Sequence, residues 1–485
     1  MAHPFRSVLL AAGLAATAVA QTTPIQHVVV IFDENNSFDH YFATYPNALN
    51  PQGEPAFVPA PNTPTVNGLT PALLSNNPNS VQPYRLDRNM ANTCDNDNHY
   101  ADEQKAYHAG LVDKFPESTN VAVSATCPAG LVMGYYDGNT VTALWNYAQH
   151  FAMSDNFFDT EFGTTVMGHL NLISGQTHQT SVQTIKGKVA NGSVIANVEA
   201  GFDDCVTTAT GTPVQMTSQN IGDLLNAKGV SWGWFYAEFP QSTNNQPIPF
   251  ASCPSTYNSH YAPFQYYKST SNIHHLPPSS PATIGTSADQ ANHNYTVNDF
   301  WTAASHGALP AVSFLKAAKA QTGHPADSTP LAEQQFLVQT INALQKLPEW
   351  KNMAILIAYD DSDGWYDHVM PPIVNQSNDT AQDTLLGSSG MCGTPATGAY
   401  LDRCGYGSRL PFLVISPYAK QNFVSHSLAD LTSITRFIED NWDLGRLGDQ
   451  SFDALAGSIQ DLFDFKSAPH TKKVLLNATT GEVIK

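Results

Sequence analysis

Two stretches of the chain place acidic side chains directly after runs that are apolar throughout. The run His27-Val-Val-Val-Ile-Phe leads into Asp33, Glu34 and Asn35. The run Met353-Ala-Ile-Leu-Ile-Ala-Tyr leads into Asp360 and Asp361, with Asp363, Asp367 and His368 close behind. Either stretch alone reads as a buried strand followed by a solvated turn, and the repetition argues for more. If the two strands are neighbours in one sheet, Glu34, Asp360, Asp361 and the amide oxygen of Asn35 converge. Carboxylates that close repel one another unless a cation sits between them. The pattern therefore predicts a bound divalent metal ion, and oxygen donors select a hard or borderline one.

A third stretch, Gly163-Thr164-Thr165, precedes a segment apolar at Val166, Leu170, Leu172 and Ile173. A hydroxyl opening a helix satisfies free backbone donors there as an N-cap. The same geometry presents a hydroxyl to the positive end of the helix, where an anion or a developing alkoxide is favoured. Spacing leaves cap and nucleophile both open. His99 closes the polar run Cys94-Asp-Asn-Asp-Asn-His, His324 lies in Gly323-His-Pro325, and His274 and His275 are adjacent in a Pro-bounded loop. Neighbouring histidines point apart on a regular element, so a loop is where both could face one ligand.

The elements that must hold these residues alternate along the chain. Short β-branched runs at 27–32, 230–237, 353–359 and 410–415 read as buried parallel strands. Helical periodicity covers 101–114, 140–150, 219–229, 331–347 and 428–442. Strands alternating with helices predict an α/β fold, a layered α/β/α sandwich with a mostly parallel central sheet. In such sheets ligands bind beyond the carboxyl ends of the strands, which is where the acidic residues fall. The expected organisation is one domain over 21–485, with surface insertions near 47–92 and 180–300.

Residues 1–20 combine basic positions, an apolar run and an Ala18-Val-Ala20 cleavage pattern, the marks of a secretory signal peptide. No later stretch is long and apolar enough to span a bilayer, so a secreted or periplasmic product without a stable membrane anchor is expected. The six cysteines suit an oxidising compartment and lack the close spacing of a zinc site. Nearest-neighbour pairing gives Cys94 with Cys127, Cys205 with Cys253, and Cys392 with Cys404. Sequons at Asn191, Asn294, Asn375, Asn378 and Asn477 are usable only in a eukaryotic source. A net charge of −19 argues against nucleic acid as a partner.

Taken in order, Glu34-Asn-Asn-Ser-Phe-Asp-His-Tyr-Phe42, Met133-Gly-Tyr-Tyr-Asp137, Ser154-Asp-Asn-Phe-Phe158, 170–175, Leu309-Pro-Ala-Val-Ser313, Tyr359-Asp-Asp361 with Asp367-His368, and 408–420 resemble the phosphoesterase family. That family contains bacterial phospholipases C and bacterial and fungal acid phosphatases on an alkaline-phosphatase-like fold. The resemblance implies Thr165 as nucleophile and one divalent metal ion on Glu34, Asn35, Thr165, Asp360 and Asp361. It further implies His99, His274, His275 and His324 around a phosphate group. Chemistry then makes a protonated His324 the proton donor and sets His99, His274, His275 and the Asn35 amide on the non-bridging oxygens. Departures are Asn36 where arginine is frequent, Met167-Gly168 where Pro-Asn is frequent, and Asp361 where glutamate is frequent. The shorter Asp361 puts its metal contact in question and makes Asp363 a candidate substitute, against the plainer reading of a solvated turn residue.

The resemblance implies a phosphoric ester hydrolase acting on a small phosphate ester. The leading expectation is an acid phosphatase working through a phosphothreonine. The alternative is a phospholipase C, whose large members carry C-terminal β-domains that this sequence lacks. A binding protein on a degenerate scaffold is disfavoured because Thr165, Glu34, Asn35 and Asp360 are all present.

Overall fold

A computed structural model describes residues 21–120, 127–207, 211–387 and 391–484. The signal-peptide expectation lies outside them. Eight strands form the central sheet: β1 (His27–Asp33), β2 (Ala152–Ser154), β3 (Trp232–Tyr236), β4 (Asn294–Tyr295), β5 (Val312–Lys316), β6 (Met353–Tyr359), β7 (Phe412–Ile415) and β8 (Phe423–Ser425). Their order is β4-β3-β5-β1-β6-β7-β2-β8. Pairing is parallel from β4 through to β6, and β7 alone runs against both of its neighbours. The helices used below are α1 (Phe38–Phe42), α2 (Tyr100–Tyr107), α3 (Thr142–His150), α4 (Thr165–Ser174), α5 (Ile221–Lys228), α6 (Val297–Ser305), α7 (Pro330–Leu344) and α8 (Leu431–Trp442).

β1 is central because its sequence can be buried on both faces. Side chains alternate along a strand, and Phe32 meets the His169 ring of α4 at 4.8 Å. Level with Val30, which shares the parity of Phe32, Trp234 stacks on Phe314 at 5.8 Å on that same side. The other parity faces the opposite layer, where Phe235 packs edge-on against Phe300 of α6 at 5.3 Å. There too the Tyr359 hydroxyl donates to Glu333 of α7. α4, with α8 packed on it, thus covers one face, and α6 and α7 cover the other. This is the expected sandwich.

Local chemistry sets the helix ends. Asn220 and Asp223 form a reciprocal capping box on α5, and Gly229 at φ 71° ends it. α2 stops seven residues short of the periodic segment expected to reach 114, because His108 and Ala109 both take positive φ. All three nearest-neighbour disulfides form, with Cα–Cα distances of 5.8, 5.6 and 5.9 Å. The 47–92 excursion is not purely superficial, since Phe57 is buried edge-on against Trp145 of α3 at 5.2 Å. The Asn294 sequon lies on β4 and is fully buried, so the folded chain offers no room for a glycan there.

Candidate active site

β1 and β6 are neighbours paired in parallel, with Asp33 opposite Tyr359, so Glu34 and Asp360 emerge side by side at the carboxyl ends. The crossing is tied by Asn36 N–H donating to the Asp361 carbonyl at 2.9 Å and Asp360 N–H to the Asp33 carbonyl at 3.2 Å. Glu34, Asn35, Asp360 and Asp361 are all buried.

Four of the five expected ligands, Glu34, Asn35, Asp360 and Asp361, each have one side-chain atom engaged and one oxygen open. Asp360 Oδ1 accepts from the backbone N–H of Asn35 at 3.0 Å and of Asp361 at 2.9 Å. Asp361 Oδ1 accepts from Asn98 Nδ2 at 3.0 Å and from Asp363 N–H at 2.7 Å. Asn35 donates through Nδ2 to Asp363 Oδ1 at 3.0 Å, which aims its oxygen away from Asp363. Glu34 Oε1 is taken by the ammonium of Lys316. Glu34 Oε2, Asn35 Oδ1, Asp360 Oδ2 and Asp361 Oδ2 remain buried without a partner. Buried polar atoms are nearly always satisfied, and four orphan oxygens on the residues that follow two paired strands fit a divalent cation. Of the three carboxylates, Glu34 and Asp360 belong to a group compact enough for one ion, and Asp361 lies outside that group. The shorter Asp361 side chain still presents an open oxygen.

Asp363 differs from both readings made of it. It is fully buried rather than solvated, and both its oxygens are spent on protein donors, Asn35 Nδ2 and Asn96 N–H at 3.1 Å. Its place is behind Asn35, holding the amide in one orientation.

Burial drives the Glu34 and Asp361 carboxyls well up from the usual carboxylate range, and the like charge of Asp360 adds to it. Burial also raises Asp360, against the pull of Lys316. A bound cation reverses this balance and favours the ionised forms.

α4 packs against this crossing. Its N-cap is Thr164, yet no side-chain cap bond forms, and Thr164 Oγ1 is buried without a partner. Asn197 does the capping from outside, its Oδ1 accepting from Val166 N–H at 2.9 Å. The threonine hydroxyls are thereby released from the structural duty that competed with a chemical one. Close approach needs Gly168, where a Cβ would lie 2.0 Å from the Asp360 carbonyl oxygen. Backbone cannot yield as a flexible side chain would. Gly168→Ala is expected to push α4 off the site, lowering stability by about 1–3 kcal/mol, read by thermal melting.

His169, four residues after Thr165, was not singled out by sequence. Its Nδ1–H donates to the Thr165 carbonyl at 2.8 Å, so Nε2 carries the lone pair, and that atom is buried and unpartnered. Nε2 lies 3.8 Å from Glu34 Oε1, and Nδ1 lies 3.6 Å from Asp360 Oδ2. Burial, reinforced by the Lys316 charge, holds the ring well below its ordinary pKa, in the neutral form able to ligate. Glu34, His169 and Asp360 form a buried group compact enough to hold a metal ion, adding a nitrogen to the expected oxygen set. The i, i+4 spacing of Thr165 and His169 on one helix face was the available signal.

The other expected histidines are placed unequally. His99 is exposed at the start of α2, its Nδ1 2.5 Å from Asp97 Oδ1, and this bond raises its pKa. Its loop lies against the centre through Asn96 and Asn98, which bond Asp363 and Asp361. His324 is mostly buried, with Nδ1–H donating to the Pro325 carbonyl at 2.7 Å, and its charge is felt by Asp360. His274 is exposed beside Asp204 at 2.8 Å. His275 is fully buried, with Nε2 2.7 Å from Asp203 Oδ1 and Nδ1 3.2 Å from the Pro240 carbonyl. The pair therefore does not face one ligand, because each histidine has its own aspartate and only His274 reaches the surface.

Asp367 and His368 belong to a buried network one step behind the centre. Arg409 bonds Asp367 at 3.1 Å and Asp39 at 3.0 Å, and His368 Nδ1 bonds Asp39 at 2.6 Å. It clamps α1 to the segment following Asp360 and Asp361.

A sequence model of the Phosphoesterase family matches residues 25–445. A non-hemolytic phospholipase C of Pseudomonas aeruginosa is 25% identical over 433 residues, covering 86% of this chain and 54% of that protein. A protein named phospholipase C A of Mycobacterium tuberculosis is 24% identical over 465 residues, covering 93% of this chain and 79% of that protein. The chain thus spans about half the length of the Pseudomonas relative. Among solved structures, a protein in the alkaline phosphatase superfamily from Vibrio parahaemolyticus aligns over 87% of both chains at 9% identity, with a TM-score of 0.33. No helix among the described residues is long and apolar enough to cross a membrane.

Proposed function

The chain belongs to the Phosphoesterase family, and on that premise we propose that it is a phosphoric ester hydrolase, specifically a metal-dependent acid phosphatase using the Thr165 hydroxyl. The observation that carries this is the set of open donors at one crossing: Glu34 Oε2, Asn35 Oδ1, Asp360 Oδ2 and Asp361 Oδ2, with α4 opening beside them. Those oxygens, with Thr165 Oγ1 and His169 Nε2 as further donors, would hold one divalent ion. When bound, such an ion would activate a hydroxyl nucleophile and offset charge on phosphate oxygens.

The remaining steps belong to this chain. Thr165 Oγ1 forms a bond to phosphorus while the ester P–O bond breaks, and its hydroxyl proton is lost to solvent. His324 gives the departing oxygen a proton, then takes one from the water whose oxygen bonds phosphorus as the Thr165 O–P bond breaks, and Thr165 Oγ1 regains a proton from solvent. His99 at the rim and the Asn35 amide favour charge on the non-bridging oxygens. His274 is a second rim histidine, and His275 keeps the Asp203 segment in place. Thr165 is 4% exposed, a narrow approach that suits the small end of a phosphate monoester.

The names of the curated relatives favour a second reading, a phospholipase C cleaving phosphatidylcholine-type diesters. The test offers an aryl phosphate monoester and a phosphatidylcholine dispersion to the protein at mildly acidic pH. Inorganic phosphate from the monoester supports the phosphatase. Phosphocholine and diacylglycerol establish the phospholipase C in its place.

Histidine gains its charge near a pKa of about 6.5, unlike arginine or lysine, so kcat/KM is expected to be higher at mildly acidic than at neutral pH. Asp97 raises the His99 pKa. The protonated form therefore persists to higher pH, and Asp97→Asn is expected to move the alkaline limb towards acid. A limb that stays in place would remove His99 from the profile.

A further inference from the structure

Glu34, Asp360 and Asp361, the three carboxylates among the expected ligands, each with an open oxygen, bring three negative charges to the centre. One divalent ion leaves one of those charges uncompensated. Lys316 stands where that charge lies. It ends β5, directly after Leu315, which pairs with Ile31 of β1, and it is wholly buried. Its ammonium contacts Glu34 Oε1, with the Tyr261 ring at 4.5 Å and the Phe32 ring at 5.3 Å. Taking an ammonium out of water is costly, and an apolar residue of similar volume would ordinarily serve a buried strand end as well or better. The charge therefore needs a reason beyond packing, and Glu34 is the carboxylate it contacts.

We propose that Lys316 is the permanent cation of the metal centre, neutralising Glu34 through Oε1 so that the site takes a single divalent ion through the oxygens left open. This rests on the metal reading given above. With Oε1 engaged, Glu34 offers the ion Oε2 alone. The ammonium also repels the incoming ion, so metal affinity is held below what three bare carboxylates would give. In the metal-free protein the same ammonium relieves part of the repulsion among the acids.

The test is equilibrium dialysis of chelator-stripped, full-length protein against Mn²⁺, with bound metal counted per chain and melting followed with and without the ion. Wild type is expected to bind one Mn²⁺. Lys316→Met removes the repulsion and frees Oε1, and is expected to bind Mn²⁺ about ten-fold more tightly or better. Its rise in Tm on adding Mn²⁺ should also exceed that of wild type. Lys316→Arg keeps the charge and should stay within about three-fold of wild type, the size of ordinary context effects on a single contact. Two ions per wild-type chain would overturn the proposal even if Lys316→Met failed to fold. Unchanged or weaker binding in Lys316→Met would overturn it while sparing the metal reading. A wild type that binds no Mn²⁺, Mg²⁺, Ca²⁺ or Zn²⁺ would overturn both.

Discussion

Thr165→Ala is expected to lower kcat/KM for a phosphate monoester by at least about a thousand-fold, the scale of losing a covalent nucleophile. Folding should be almost unaffected. The first turn of α4 is capped by Asn197 rather than by a threonine hydroxyl, and alanine is the better helix former. Thermal melting should therefore report little change where the rate collapses. Rapid acid quench during turnover of a labelled monoester should trap phosphate on wild type and none on Thr165→Ala. Thr164→Ala makes the contrast, since Thr164 Oγ1 is buried without a partner beside the same helix start. Trapped phosphate should survive in that variant. Label retained in Thr165→Ala and lost in Thr164→Ala would move the nucleophile by one residue.

Asp360→Asn is expected to abolish activity by weakening metal binding more than about a hundred-fold, beyond the range for residues that merely support a ligand. The substitution is nearly isosteric, and an amide oxygen in the Oδ1 position can still accept from the backbone N–H groups of Asn35 and Asp361. The open Oδ2, however, is replaced by an NH₂ group that cannot ligate a cation. Stability should move in opposite directions with and without metal. In chelator, the variant should melt above wild type, because one of three crowded carboxylates has lost its charge. With metal in excess, wild type should gain by ligand linkage and the variant should not. Metal retained at wild-type affinity would take Asp360 out of the ligand set.

The two acidic strand ends were legible because their signal is local. Val28 to Phe32 and Met353 to Tyr359 are apolar at every position, which only a strand buried on both faces requires. The polar residues that follow must then lie beyond the carboxyl ends of the strands. The disulfides were legible by proximity, and helix ends such as Gly229 by residue type. The α2 boundary was not, since a positive φ at His108 and Ala109 answers to the loop that follows and to no residue preference. The histidine pair was misplaced for a similar reason. Whether His274 and His275 share a ligand depends on where Asp203 and Asp204 lie, about seventy residues earlier.

By itself, the sequence determined the α/β class, the strand-end position of Glu34, Asn35, Asp360 and Asp361, and a helix opening at Gly163-Thr164-Thr165. Period, burial and turn chemistry act over a few residues and leave a readable pattern. Only the tertiary structure decided which atoms of those residues are spent and which stay open. Lys316 takes one oxygen of Glu34 across 282 positions, Asp363 orients Asn35 across 328, and Asn197 relieves the threonines of capping across 31. Such pairings follow from chain segments meeting in space, and a buried polar atom leaves no mark in the sequence to show which distant partner will satisfy it.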